Sequence, residues 1–196
     1  MIRRLLGAAA AAVALAGATT SCGAGTPSAA RLSIISYRGA DWVTDGTVKP
    51  PASLDHADRI RYPHSMNGVV MAAIDSQTLL DLAGDDQYGA VTRDYIAAGP
   101  GLKAYLAARS QFRVIGAPDP AKLVHVKGFQ FLAYTSTAAT VEIVYVEPDR
   151  SITGLTRTVV WLGDTWLIQL PDSNSPTSPV KAYPTMPTNI NALPQT

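Results

Sequence analysis

A single cysteine in 196 residues has no partner for a disulfide within the chain, and it excludes CxxC and cysteine-based zinc sites. Charge is scarce as well. Asp, Glu, Lys and Arg make up 16% of the residues, and 16 basic side chains face 15 acidic ones. With no basic stripe, nucleic acid is not an expected partner. The sequence holds no G-x-S-x-G, P-loop, G-x-G-x-x-G or H-E-x-x-H pattern. Its histidines are His56, His64 and His125. Asp55-His56-Ala57-Asp58 together with His64 offers metal-binding atoms, but so short a polar cluster reads better as a solvated turn, and no metal or cofactor is expected. The uninterrupted apolar run Leu5–Ala18 has 14 residues, short of the roughly 20 needed to span a bilayer.

That run follows Met1-Ile2-Arg3-Arg4 and precedes Thr19-Thr20-Ser21-Cys22-Gly23, so residues 1–21 read as a secretory signal peptide. A lone cysteine behind an apolar run, with a small residue before it, resembles the bacterial lipobox. There the thiol is diacylglycerated and becomes the new N-terminus. The lipobox has an aliphatic residue where this chain has Thr19. The resemblance implies lipidation of Cys22 and a cell-membrane location on the extracytoplasmic face, since two acyl chains hold a protein stably on a bilayer. Cleavage after Ala16-Gly17-Ala18, releasing a secreted protein with a spare thiol, is the open alternative. Without Arg3 and Arg4, 14 basic residues face 15 acidic ones, a net charge of −1. Residues 22–40 read as a flexible tether, 41–172 as one domain, and 173–196 as a Pro/Ser/Thr-rich tail.

Within the domain, Arg157–Pro171 reads as a β-hairpin. Gly163-Asp164 supplies a two-residue type II′ turn that sets Leu162 opposite Thr165, Trp161 opposite Trp166, Val159 opposite Ile168 and Arg157 opposite Leu170. Upstream, Leu32–Tyr37 allows a short strand, Trp42 an anchor, and the remainder of 31–64 is expected to be irregular. Ser65 is placed to cap a helix over Met66–Leu82, where apolar residues recur at helical spacing. Asp86 opens a second helix over Gln87–Ala97, and Pro100 starts a third over Gly101–Arg109. Strands follow at Leu123–Tyr134, around Val141–Val146, at Ile152–Leu162 and at Thr165–Leu170. Gly128 marks either a β-bulge or a point in a regular strand. The tail, rich in proline, serine and threonine, offers few apolar anchors and is expected to be extended or disordered and dispensable for folding.

Arg61-Tyr62-Pro63-His64-Ser65-Met66-Asn67-Gly68-Val69-Val70-Met71-Ala72-Ala73 resembles the lead-in to the first helix of actinobacterial NTF2-like (cystatin-like) proteins carried by conjugative elements. Trp161-Leu162-Gly163-Asp164-Thr165-Trp166 resembles their terminal W-x-G-D-W hairpin, with Thr165 as an additional residue. Trp42 and Pro50-Pro51 fit the same pattern, over roughly residues 40–172. The resemblance implies an α+β fold, an NTF2-like cone with about three N-terminal helices packed on a bent four-stranded antiparallel sheet. It implies kinship with accessory proteins of the VirB8 and TcpC kind, which scaffold transfer machines at membranes. Some NTF2-like enzymes, those of the ketosteroid isomerase type, use an Asp base and a Tyr oxyanion donor inside the cone. Tyr134, Tyr145 and His125 sit on strands here, but no Asp lies within the strands after Leu123 apart from the turn residue Asp164. The expectation is therefore a non-enzymatic, lipid-anchored accessory or scaffolding protein with an unidentified protein partner, a homo-oligomer being one form. Its ligand or partner surface is expected to use Trp161, Trp166, Tyr134 and Tyr145. The alternative is a binder of a small apolar ligand in the cone.

Overall fold

The computed structural model describes residues 32–55, 59–172 and 178–194. The chain opens with a hairpin, β1 (Ser33–Tyr37) and β2 (Ala40–Thr44), which forms a two-stranded sheet of its own. Its turn places Arg38 and Gly39 at φ 53° and 84°, the paired positive values of a type I′ turn. Three helices follow: α1 (Met66–Leu82), α2 (Tyr88–Tyr95) and α3 (Pro100–Arg109). Then come β3 (His125–Tyr134), β4 (Ala138–Val146), β5 (Ile152–Leu162) and β6 (Thr165–Gln169), an antiparallel meander. Finally β7 (Val180–Tyr183) and β8 (Asn191–Ala192) bring the main sheet to six strands.

The helix α1 is the axle of this arrangement. Ser65 caps it, its hydroxyl accepting from Gly68 N at 3.1 Å. Nearly every turn is buried on all sides, because β2 packs on one flank and β4, β5 and β6 on another. Polar groups tie both flanks. Val43 N donates to Asp75 Oδ1 at 2.8 Å, and Thr78 Oγ1 donates to Asp41 O at 3.0 Å. Across the helix, Arg157 donates from Nε and Nη2 to Gln77 Oε1. The core so enclosed includes Trp42, Met71, Ile74, Ile143, Trp166 and Ile168. It also takes Leu32 and Ile34 from before residue 41 and Leu193 from beyond residue 172.

The NTF2-like cone, with three N-terminal helices on a four-stranded sheet, is overturned. A hairpin precedes the helices, and two further strands extend the meander to six. The first error lies at Arg38-Gly39, a turn that reads weakly because Arg seldom takes a positive φ. The second lies in the tail, whose strands bind mostly through backbone. On β4, Val141, Ile143 and Tyr145 face the core, leaving Glu142 and Val144 on the opposite face, where they are buried all the same. Residues 178–194 cover that face. β7 pairs with Ile152–Leu155 of β5, and β8 pairs with Gly128 and Phe129 of β3, so the tail crosses from one side of the sheet to the other. Tyr183 donates from its hydroxyl to Glu142 Oε2 at 2.8 Å, Gln130 Nε2 also donates to Glu142, and Asn189 Nδ2 donates to Gln130 Oε1 at 2.6 Å. Val144 lies in register between Gly128 and Gly154. A Cβ on Gly128 would meet Asn191 O at 2.6 Å, and one on Gly154 would meet the Tyr183 ring at 2.7 Å. The two glycines therefore make the trough in which the tail lies.

The hairpin of β5 and β6 has the expected register from Leu162↔Thr165 to Val159↔Ile168, and Gly163 stands at φ +68°. The ladder closes at Thr158↔Gln169, short of Arg157 and Leu170. Of the two options at Gly128, the bulge is the one observed, with Lys127 as the extra residue. The second helix is shorter than Gln87–Ala97, and its N-cap position falls on Gln87 rather than Asp86, with no side-chain capping bond.

Candidate functional site

The two stretches singled out in the sequence meet in space. Arg61 pairs with the Asp164 carboxylate, and this bond above all holds the Asp164 pKa below the usual carboxylate range. Tyr62 N donates to Thr165 Oγ1 at 2.9 Å, and Trp166 Nε1 donates to Pro63 O at 3.1 Å. His64 stacks on Trp161, with centroids 4.2 Å apart and planes 26° from parallel, and its Nε2 lies 2.5 Å from Ser136 O. Trp161 meets Trp166 edge-on at 5.5 Å. Four consecutive residues thus grip the tip of the hairpin. Gly68 lets the segment approach α1, since a Cβ there would lie 1.8 Å from Pro63 O.

The clasp fixes one end of the sheet. The β3–β4 turn and the β5–β6 turn lie side by side there, with Trp161 N donating to Thr137 O at 2.8 Å. Their flanks present large apolar side chains to solvent: Leu132 at 53% exposure, Tyr134 at 41% and Leu162 at 45%. Tyr134 continues an edge-on aromatic row through Phe131 to Phe129, each step 5.8 Å. Trp161 is half-buried and His64 exposed.

The expected surface residues are therefore split. Trp161 and Tyr134 share this end. Trp166 is fully buried beneath it and acts as a core anchor. Tyr145 lies at the opposite end of β4, buried, in a crevice with Asp41, Thr78, Asp81 and Val126 that has room for about 20 Å³, one water. Asp41 there is 3.4 Å from His125 Nδ1 and accepts from Val126 N at 2.8 Å. Asp81 keeps an exposed surface yet is crowded by protein. Desolvation pushes its carboxyl up to about 6, against the hydrogen bond from Gln77 and the Arg157 charge, which pull it down. Burial drives the Tyr145 phenol far above its ordinary value. Reasoning along the strands alone missed these acids, because they come from β2 and α1. Leu132 and Leu162 were missed because each reads as an ordinary strand residue, and His64 was weighed as a metal ligand and as part of the helix lead-in, not as a stacking partner of Trp161.

Among the described residues no cluster of His, Cys, Asp or Glu could hold a metal, and no helix is long and apolar enough to cross a membrane. Cys22, and His56 to Asp58 of the polar cluster, lie outside the described residues. No curated protein and no solved structure matches the chain. A family profile described as "Domain of unknown function (DUF8175)" matches residues 7–188. That match spans most of the sequence, and the chain belongs to this family.

Proposed function

We propose that the chain is a non-enzymatic accessory or scaffolding protein, held at the extracytoplasmic face of the membrane through Cys22, which works by protein–protein contact at the clasped end of its sheet. The observation that carries this is the exposure of Leu132, Tyr134 and Leu162 around one end of the sheet, the end whose β5–β6 hairpin the clasp ties down. A rigid apolar surface with aromatic anchors loses little conformational entropy on docking. The two motifs that resemble accessory proteins of conjugative elements are the two halves of this clasp, and this supports a transfer machine as its setting. Genes for a relaxase or a coupling ATPase beside this one would strengthen that setting, and an isolated metabolic operon would weaken it. The alternative, a small apolar ligand behind the hairpin, competes for space with Trp166, Ile168 and Met71, which are fully buried there.

The test is a Leu132→Asp/Leu162→Asp double variant, compared with wild type by native electrophoresis of gently solubilised membranes. Both positions are exposed, so the fold and its thermal midpoint should hold. Wild type should run as a larger assembly and the variant as the free chain. Identical mobility of the two would contradict the proposal.

A further inference from the structure

After α3 the chain forms a loop over 110–119 whose side chains break the usual surface pattern. Phe112 is 67% exposed and Ile115 is 83% exposed, with Val114 also in solvent. Scattered apolar side chains on a surface need no explanation, but three within four positions do. The backbone beneath them is held. Arg109 Nη1 donates to Asp85 Oδ1 at 2.8 Å and to Phe112 O at 3.2 Å. Asp85 Oδ1 also accepts from Val114 N at 3.0 Å, and Asp85 N donates to Val114 O at 3.1 Å. Gly116, at φ +82°, turns the chain away. The Phe112 and Val114 backbones are thus tied inward to Arg109 and Asp85, while the Phe112 and Ile115 side chains stand in solvent with Arg113 between them. Backbone bonds made within the protein lower the cost of bringing such a segment into a lipid interface.

Chain length supports lipid as the occupant. Leu32 follows Cys22 by ten residues, a reach of at most about 35 Å. The strand β1 spans about 17 Å. Arg38, directly after it, lines the same groove as Gly116, Ala117 and Pro118. The loop therefore lies within reach of a membrane that holds Cys22.

We propose that the Phe112–Ile115 loop seats the domain on that membrane, Phe112 and Ile115 entering the headgroup–acyl boundary and Arg113 meeting lipid phosphate. This rests on the lipid-anchored reading. The test uses the whole mature chain from residue 22 with Cys22→Ser, so that no acyl chain contributes. It should sediment with phosphatidylglycerol-rich vesicles. Phe112→Ser/Ile115→Ser should lower binding by roughly tenfold or more, since two apolar side chains leave the interface. Arg113→Gln should lower it by about fivefold on anionic vesicles only. Equal sedimentation of parent and double variant would overturn the proposal, as would a concentration-dependent dimer that the double variant abolishes while vesicles remain unbound. Fatty-acid labelling of Cys22 in wild-type cells reports separately on the anchor, so failure of one does not mimic failure of the other.

Discussion

Asp75 is a carboxylic acid packed where water does not reach. Its Oδ1 accepts from Val43 N, while Oδ2 has no hydrogen-bond partner among the described residues, and the buried Tyr62 phenol lies close enough to feel its charge. Burial pushes its pKa well above the usual carboxylate range, and the hydrogen bond from Val43 pulls only part of the way back. Tyr62 is raised likewise, by burial first and then by the negative charges of Asp75 and Tyr95. For an acid whose folded pKa exceeds its unfolded one, the contribution to stability is complete below about pH 4 and is lost as pH rises toward the folded value. Each unit of difference corresponds to about 1.4 kcal/mol. Asp75→Asn keeps the acceptor for Val43 N and removes the ionisation. Urea unfolding at pH 4 and pH 8 should therefore show the variant gaining on wild type as pH rises. Asp81 titrates in both proteins and cancels. A difference that stays constant, or shrinks, would count against a buried neutral Asp75.

At the scale of elements, two features hold the sheet in place: the clasp on the hairpin tip and the tail across the far face. The clasp was half legible. The register of the hairpin followed from Gly163 and the two tryptophans, because a two-residue turn leaves one way to pair alternating side chains. That Arg61–His64 would grip it was not legible, since three of the four contacts use backbone atoms or stacking. The tail was misread for a related reason. Val180, Lys181 and Ala182 of β7 are exposed, so no apolar pattern announces the strand. Its attachment is read instead in the sheet, in Gly128 and Gly154 flanking Val144 and in a glutamate buried on the outer face. Leu193 is the one apolar anchor of consequence, and fully burying a leucine contributes about 1.5–3 kcal/mol. Truncation after Asp172 also strips Glu142 of Tyr183 and uncovers Val144. The expected result is a loss of roughly 3 kcal/mol or more in denaturant unfolding. A truncated protein as stable as wild type would show the tail to be an ornament.

At the scale of the whole molecule, α1 lies between two sheets, the tail closes the outer face, and the clasp stiffens one end. The Met66–Leu82 helix and the four-strand meander were legible because burial imposes periods of 3.6 and 2 on them. The hairpin before the helices was not, since only its first strand shows a pattern and its turn is Arg-Gly. Nor was the splitting of Tyr145 from Trp161 and Tyr134, which depends on the length and direction of β4. What emerges is one packed core with exposed apolar and aromatic side chains at one end and a separate exposed loop. In the proposed role the loop faces lipid and the clasped end faces a protein.

The most direct measurement is photo-crosslinking in living cells from a benzophenone amino acid placed at Tyr134, with Lys103 on α3 as the exposed control. Position 134 should yield a discrete adduct with a second protein chain, position 103 should not, and Leu132→Asp/Leu162→Asp should remove the adduct while the chain remains folded. No adduct at 134 beyond that at 103, or an adduct that survives the double variant, would contradict a partner-binding role for the clasped end.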